Sequence, residues 1–499
     1  MNNTYNLLDE LWIPITGGRP ISLIDAWDVE SPRLLGGTAI QKLSVLKLLL
    51  AIAQRAYTPA DTKEWERLGV SGLAKHCVEY LEKHRSLFFL YGDKPFLQYP
   101  ILDALHTKKG EPLPVLPIGR PYHPDIPPAN ESITNQIQAY RIPTDAEKAL
   151  FLISVMNHSL GGKRVTHIEP LSSDYPEKSV TAAPGPSIGN YVGYQHTFLL
   201  GSSIAETVYI NLFTRETLAA FPQWADDPLI PPWEAMPESE DDANARRIQN
   251  GFMGTLVGLS RFVLLKDDGA LFTEGLQYPS HKQGWREPFM TSIGADRVAF
   301  LDISKKPWRN ITALLALSLS GKDSGVSCPQ IDLLLGRARE VTRRLGIWSG
   351  GLKVRAATGD QSVKQDDDFI ESTVWFESAV LGDRLFAELE NQMKYLDELG
   401  TILYRSVRNY FVKLGMDPKQ QSSSYAQQAT ARYWAFCETV FQQIVDNWNN
   451  PESLKRIHGI IRHKVETIYN DTCKKETARQ LEAWVLNHPF EGRFVKKEE

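Results

Sequence analysis

The chain has 499 residues, of which 42% are hydrophobic and 23% charged, and its formal net charge is −5. That length exceeds one ordinary domain, so two or three are expected. A protein that holds nucleic acid alone and without sequence preference is usually basic, so any such role here has to be local or shared with partners.

The four cysteines, Cys77, Cys328, Cys437 and Cys473, lie far apart with no C-x-x-C pair. This argues against a zinc site built from cysteine pairs and suits a reduced, cytoplasmic protein. The opening MNNTYNLLDELW has neither the basic nor the apolar region of a signal peptide. The longest apolar run, near LLLAIA, is far short of a membrane span.

In chain order, LWIPI, TGGRP and ISLI read as strand, turn and strand. AIQKLSVLKLLLAIAQRAY has helical spacing and is apolar on most faces, which predicts a buried helix. SGLAKHCVEYLEKH predicts a second helix, and KPFLQYPIL reads as extended. Residues 107–145, rich in Pro, Gly and Asn, read as a long loop region, followed by a helix in AEKALFLISVMNHSL that stops at Gly161-Gly162. TVYINLF is a strand candidate. Residues 221–246, with five prolines and many acids, read as a surface excursion. RFVLLK and RVAFLDI predict strands, and ITALLALSL and IDLLLGRAREVTRRLGI predict helices.

After residue 370 the texture changes. Apolar residues from Val374 and Phe376 through Leu385, Leu389, Leu403 and Leu414 follow broadly helical spacing. The segment around Tyr433, Cys437, Phe441 and Ile444 repeats it, and so does NNPESLKRIHGIIRHKVETIYN, where Asn450 suits an N-cap and Pro451 the first helical position. ETARQLEAWVL is a short last helix. The fold class expected is α+β: a mixed α/β domain over 1–368, then a C-terminal four-helix bundle over 369–499 with short antiparallel connections.

Catalytic signals are weak. No phosphate-cradling glycine loop, zinc-protease helix or serine elbow is present. His458 and His463 lie five apart on a predicted helix, on different faces, and read as solvated. The run Asp366, Asp367 and Asp368 has the chemistry to bind Mg²⁺, which makes a metal-dependent nuclease one alternative. Its plain reading is a solvated linker placed well for the positive end of a following helix. The expectation is a non-enzyme with no metal and no cofactor.

Four segments carry a resemblance. NLLDELWIPI, KPFLQ at 94–98, FLLGSSIAETVYINLF and SGGLKVRAATGDQS are similar, in that order, to stretches of the CasA family, the large subunit of the type I-E CRISPR Cascade complex. The resemblance spans the chain. It implies a binding subunit without catalysis, partnered by the crRNA-bearing Cascade backbone, the small-subunit dimer, double-stranded target DNA and a recruited helicase-nuclease. It further implies reading of a short duplex motif, the PAM, and local opening of the duplex, while base pairing with the guide reads the target. A purely structural scaffold subunit is the other alternative.

The resemblance carries three DNA-touching devices onto this sequence. A glycine loop falls on Gly161, Gly162 and Lys163, with 185–189 as a second candidate; glycines let backbone approach a groove, although a plain helix stop explains them too. A lysine finger for the minor groove falls on Lys266 in LLKDDGALF, where the plain reading is a lysine at a turn between strands. A wedge falls on Asp360, Gln361 and Ser362, a small polar tip suited to entering between base pairs. Arg337, Arg339, Arg343, Arg344, Lys353 and Arg355 then gain a reading as phosphate contacts; without the family they read as a solvated face.

Overall fold

The computed structural model describes residues 5–106, 110–118, 142–159, 193–276, 278, 286–294, 297–302, 306–320, 325–357, 360–362 and 369–490. These divide into two compact units. The first comprises Met1–Leu301 with Gly325–Glu371, and the second Asp302–Ser324 with Ser372–Glu499.

The first unit is built around the helix Ala39–Ala56. Thr38 and Gln41 close its N-terminus as a reciprocal capping box, and most of its residues are buried. A sequence apolar on most faces predicts that burial. The helix packs against the helices Thr62–Lys83, Asp145–Asn157, Ile204–Asn211 and Phe252–Leu256, and against the strand Arg344–Leu352. Trp12 to Ile21 forms the expected hairpin-like pairing, with the Ile13 and Ile21 amides and carbonyls bonded to each other.

Three expectations are corrected here. TVYINLF lies mostly in the helix Ile204–Asn211, not in a strand. The Ser203 hydroxyl accepts the Glu206 amide at 3.1 Å and starts the helix. Val208, Tyr209 and Ile210 are all buried, so packing on several sides overrides their β-preference. IDLLLGRAREVTRRLGI is not one helix. It breaks into the helices Pro329–Asp332 and Leu335–Val341, and its end enters the strand Arg344–Leu352. Residues 221–246 are not a simple surface excursion, because Trp224, Leu229 and Trp233 are buried. Glu234 anchors that segment: it forms a bidentate pair with Arg55 and accepts from Tyr80.

The strand Arg344–Leu352 sits at the centre of a three-stranded sheet, with His196–Leu200 on one side and the strand starting at Phe369 on the other. Phe198 faces Trp348 in register, and their rings stack at 4.6 Å. Gly350 is required by close approach: a Cβ there would stand 2.5 Å from the Ile370 carbonyl oxygen. A separate sheet sets Gly269–Glu274 between Arg261–Leu265 and Leu116–Pro117.

In the second unit, the helices Asp383–Lys413, Gln421–Asp446 and Pro451–Thr472 pack on one another, and the short helix Ala478–Leu486 packs on the first of them. Asn450 caps the third helix through the Ser453 amide at 3.1 Å, with Pro451 behind it, as expected. Val374 and Phe376 are not helical. They lie in the strand Phe369–Glu377, where buried and more exposed residues alternate. ITALLALSL is the expected helix, Ile311–Ser320, but it packs on Asp383–Lys413 and belongs to this unit instead of the N-terminal part. Trp308 precedes it, fully buried, with its ring 4.4 Å from that of Phe441. His458 is half-buried instead of fully solvated: its Nε2 lies 2.6 Å from Gln392 Oε1 and its ring 4.1 Å from that of Tyr395.

Candidate nucleic-acid interface

The stretch from Arg355 to Ser362 forms a two-stranded antiparallel ribbon, separate from the other sheets. Arg355–Ala357 pairs with Asp360–Ser362, setting Asp360 opposite Ala357, Gln361 opposite Ala356 and Ser362 opposite Arg355. The sequence reading placed the triplet Asp360, Gln361 and Ser362 at a hairpin tip. In the structure it is the second strand of the ribbon. Asp366, Asp367 and Asp368 lie outside the described residues, and so do Gly161, Gly162, Lys163 and 185–189.

Lys266 sits where the sequence predicts, at the turn of a hairpin. Leu265 pairs with Ala270, and the Lys266 amide donates to the Gly269 carbonyl at 2.9 Å. Asp267 and Asp268 occupy the two turn positions between them. The Lys266 ammonium reaches Asp103 Oδ1 at 2.5 Å, a partner 163 residues away. Asp103 comes from the short 3-10 turn Pro100–Ala104. Lys266 and the three aspartates line one surface hollow with Leu102, Pro112, Leu113, Val115 and Leu271.

The basic residues upstream of the ribbon divide into two sets. Arg337 turns into the fold. Its guanidinium lies 4.6 Å from the Trp65 ring and donates to the Leu212 carbonyl. Burial pulls its pKa down to about 10, partly opposed by Tyr209. This corrects its reading as a phosphate contact: the group is used inside. Arg339 pairs with Glu340 at 3.2 Å. Arg343 and Arg344 are exposed, and Lys353 is half-buried just before the ribbon. Arg355 opens the ribbon itself.

Sequence reading missed Asp103. It gives no local signal, because its meaning depends on the distant Lys266. Among the described residues, no group of three or more His, Cys, Asp or Glu is arranged to hold a metal ion, and no helix is long and apolar enough to cross a membrane.

The family model described as CRISPR-associated protein Cse1 matches residues 6–475. The chain belongs to the Cse1, or CasA, family. This is the family of Cascade large subunits to which its motifs are similar. Solved structures share the fold over nearly the whole chain. Cse1 from Thermobifida fusca matches at TM-score 0.71 and 19% identity, covering 97% of this chain and 95% of its own. CasA from Thermus thermophilus matches at 0.67 and 18%, covering 98% and 99%. Cse1 from Acidimicrobium ferrooxidans matches at 0.62 and 15%, covering 96% and 95%. The comparison with curated proteins gives no match.

Proposed function

We propose that this Cse1-family chain reads the PAM in double-stranded DNA within a crRNA-bearing Cascade complex and starts opening of the duplex. In this reading it acts without catalysis, contacts the backbone subunits and small-subunit dimer, and helps recruit the helicase-nuclease. The observation that carries the reading is the two-stranded ribbon ending in Asp360–Ser362. A two-stranded ribbon is slim enough for a DNA groove. Inserted side chains can replace stacking and pairing lost when a base step opens. Arg339, Arg343, Arg344, Lys353 and Arg355 supply cationic groups on the approach to it. Lys266, on its own hairpin, supplies a lysine for the minor groove, and Gly161–Lys163 a further backbone approach. The net charge of −5 fits a chain whose DNA affinity is shared with partners.

The test is to replace Asp360, Gln361 and Ser362 with glycine and measure affinity of the assembled complex at one fixed salt concentration. A wedge works before the guide pairs, when the first base pair below the PAM must open. Binding to an intact duplex should therefore weaken, with much less loss on a target already mismatched beside the PAM. Equal losses on both targets would assign the ribbon to phosphate holding alone, and no loss on either would remove it from the interface.

A further inference from the structure

The Lys266–Asp103 pair has the form of an internal competitor. Both partners stand on fixed backbone. Lys266 is held in the hairpin turn by its amide bond to Gly269. The turn bearing Asp103 is tied to the same sheet, because the Tyr99 amide donates to the Val263 carbonyl at 2.9 Å and the Tyr99 ring lies 4.5 Å from that of Phe262. The lysine side chain is 24% exposed and the aspartate 65% exposed. The carboxylate is thus the outer, displaceable member, lying against an ammonium presented from a rigid turn. Asp267 and Asp268 line the same hollow, which gives it a net acidic rim.

A carboxylate bound to a lysine occupies the place that a phosphate oxygen or a minor-groove base acceptor would take. We propose that Asp103 is an autoinhibitory contact: it holds Lys266 in an internal ion pair that DNA must displace, lowering the affinity of every duplex that uses this lysine. The inference rests on Lys266 contacting DNA. Exposed ion pairs are weak, so the lysine is released a substantial fraction of the time and the penalty is small, about two- to sixfold in affinity. The factor is the same for every duplex that uses this lysine. The acidic hollow adds to this by repelling phosphates that approach Lys266 from the side.

The assembled crRNA complex carrying Asp103→Asn, Lys266→Ala or both is titrated with a PAM-bearing duplex at constant ionic strength. Asp103→Asn should tighten binding about two- to sixfold. Lys266→Ala should weaken it, and Asp103→Asn added to Lys266→Ala should change nothing further. Thermal melting should be nearly unchanged in Asp103→Asn, because the side chain is exposed, and Asp103→Ala should repeat its effect. If Lys266→Ala weakens binding while Asp103→Asn leaves it unchanged, the competition is refuted and the DNA role of Lys266 survives. If Lys266→Ala has no effect, the DNA role of Lys266 fails and the brake falls with it. Tightening by Asp103→Asn that persists without Lys266 would make the aspartate a general repellent and overturn the pairing argument. Loss of Asp103→Asn chains from the assembled complex would instead make the hollow a seat for a basic protein segment, which also overturns it.

Discussion

Lys47 and Glu287, 240 residues apart in sequence, form a salt bridge whose side chains are 0% and 1% exposed. Lys47 projects from the helix at the centre of the first unit, and Glu287 lies in the segment leading to the Ser292–Ile293 strand. His196 Nε2 stands 2.7 Å from the other carboxylate oxygen. The His158 ring meets that of His196 edge-on at 5.3 Å. One charged group thus ties the central helix, a sheet strand and the 286–291 segment together in an interior that excludes water.

Replacing Glu287 with Gln should destabilise the first unit by about 3–5 kcal/mol, because Lys47 is left as a buried charge without its counter-ion. The double change Lys47→Met with Glu287→Leu should recover most of the loss, since apolar groups of similar volume need no charge partner. Denaturant unfolding of the two variants checks this. Equal destabilisation by both would show that shape at the site, and not charge, sets the cost.

The same pair fixes an acid limit. Burial opposes ionisation of Glu287, but Lys47 and His196 outweigh it and hold its pKa down at about 2. Burial lowers the Lys47 ammonium, and Glu287 offsets part of that. A depressed carboxylate contributes stability that is fully present above its unfolded value, near 4.3, and is lost as pH falls toward 2. Wild type should therefore lose about 3 kcal/mol more than Glu287→Gln between pH 5 and pH 2. Parallel pH profiles for the two proteins would contradict the assignment.

Asp332 should act with the opposite sign. Burial raises its pKa to about 6, against the Cys328 amide that donates to it. Its contribution is present below the unfolded value, near 3.9, and is lost as pH rises through 6. Asp332→Asn keeps the acceptor oxygen, so it should raise the melting temperature at pH 7 relative to wild type and leave it little changed at pH 4. A variant that melts lower at pH 7 would show that the ionised carboxylate is stabilising there.

In the second unit, Trp308→Ala should cost about 3–5 kcal/mol, the usual loss for a buried aromatic. Trp308 rests on Phe441, and Arg309 lies 3.7 Å from the Trp434 ring while pairing with Asp397. A fragment starting at residue 372 should be helical by circular dichroism yet bind a hydrophobic dye, because it lacks Trp308 and Arg309, which cover Phe441 and Trp434. A fragment that binds no dye would show that the helices close over the gap unaided.

Arg337 and Arg343 should separate stability from binding. Arg337→Ala removes packing on Trp65 and a bond to the Leu212 carbonyl, so it should lower the melting temperature of the free chain. Arg343→Ala alters an exposed residue and should leave melting unchanged. In the assembled complex it should weaken duplex binding and reduce the salt slope by about one. An unchanged slope would take Arg343 out of the phosphate set.

Much of this was legible in the chain itself. The helices after Asp383 follow from apolar spacing and from the Asn450-Pro451 start signal, because a helix records its buried face in its own sequence. The Ala39–Ala56 helix announces its burial by being apolar on most faces, and the Lys266 hairpin shows itself by its polar turn between two β-prone runs. Only the tertiary structure decided the rest. Ile204–Asn211 is a helix because its neighbours bury its β-prone residues on several sides. Trp308 joins the helical unit because Phe441, more than a hundred residues on, offers it a face. Arg337 turns inward while Arg343 stays out, and Asp103 acquires meaning only beside Lys266. Local periodicity states which face of a segment is covered. It carries no term for which distant segment covers it, and that is fixed by packing and charge pairing across the folded chain.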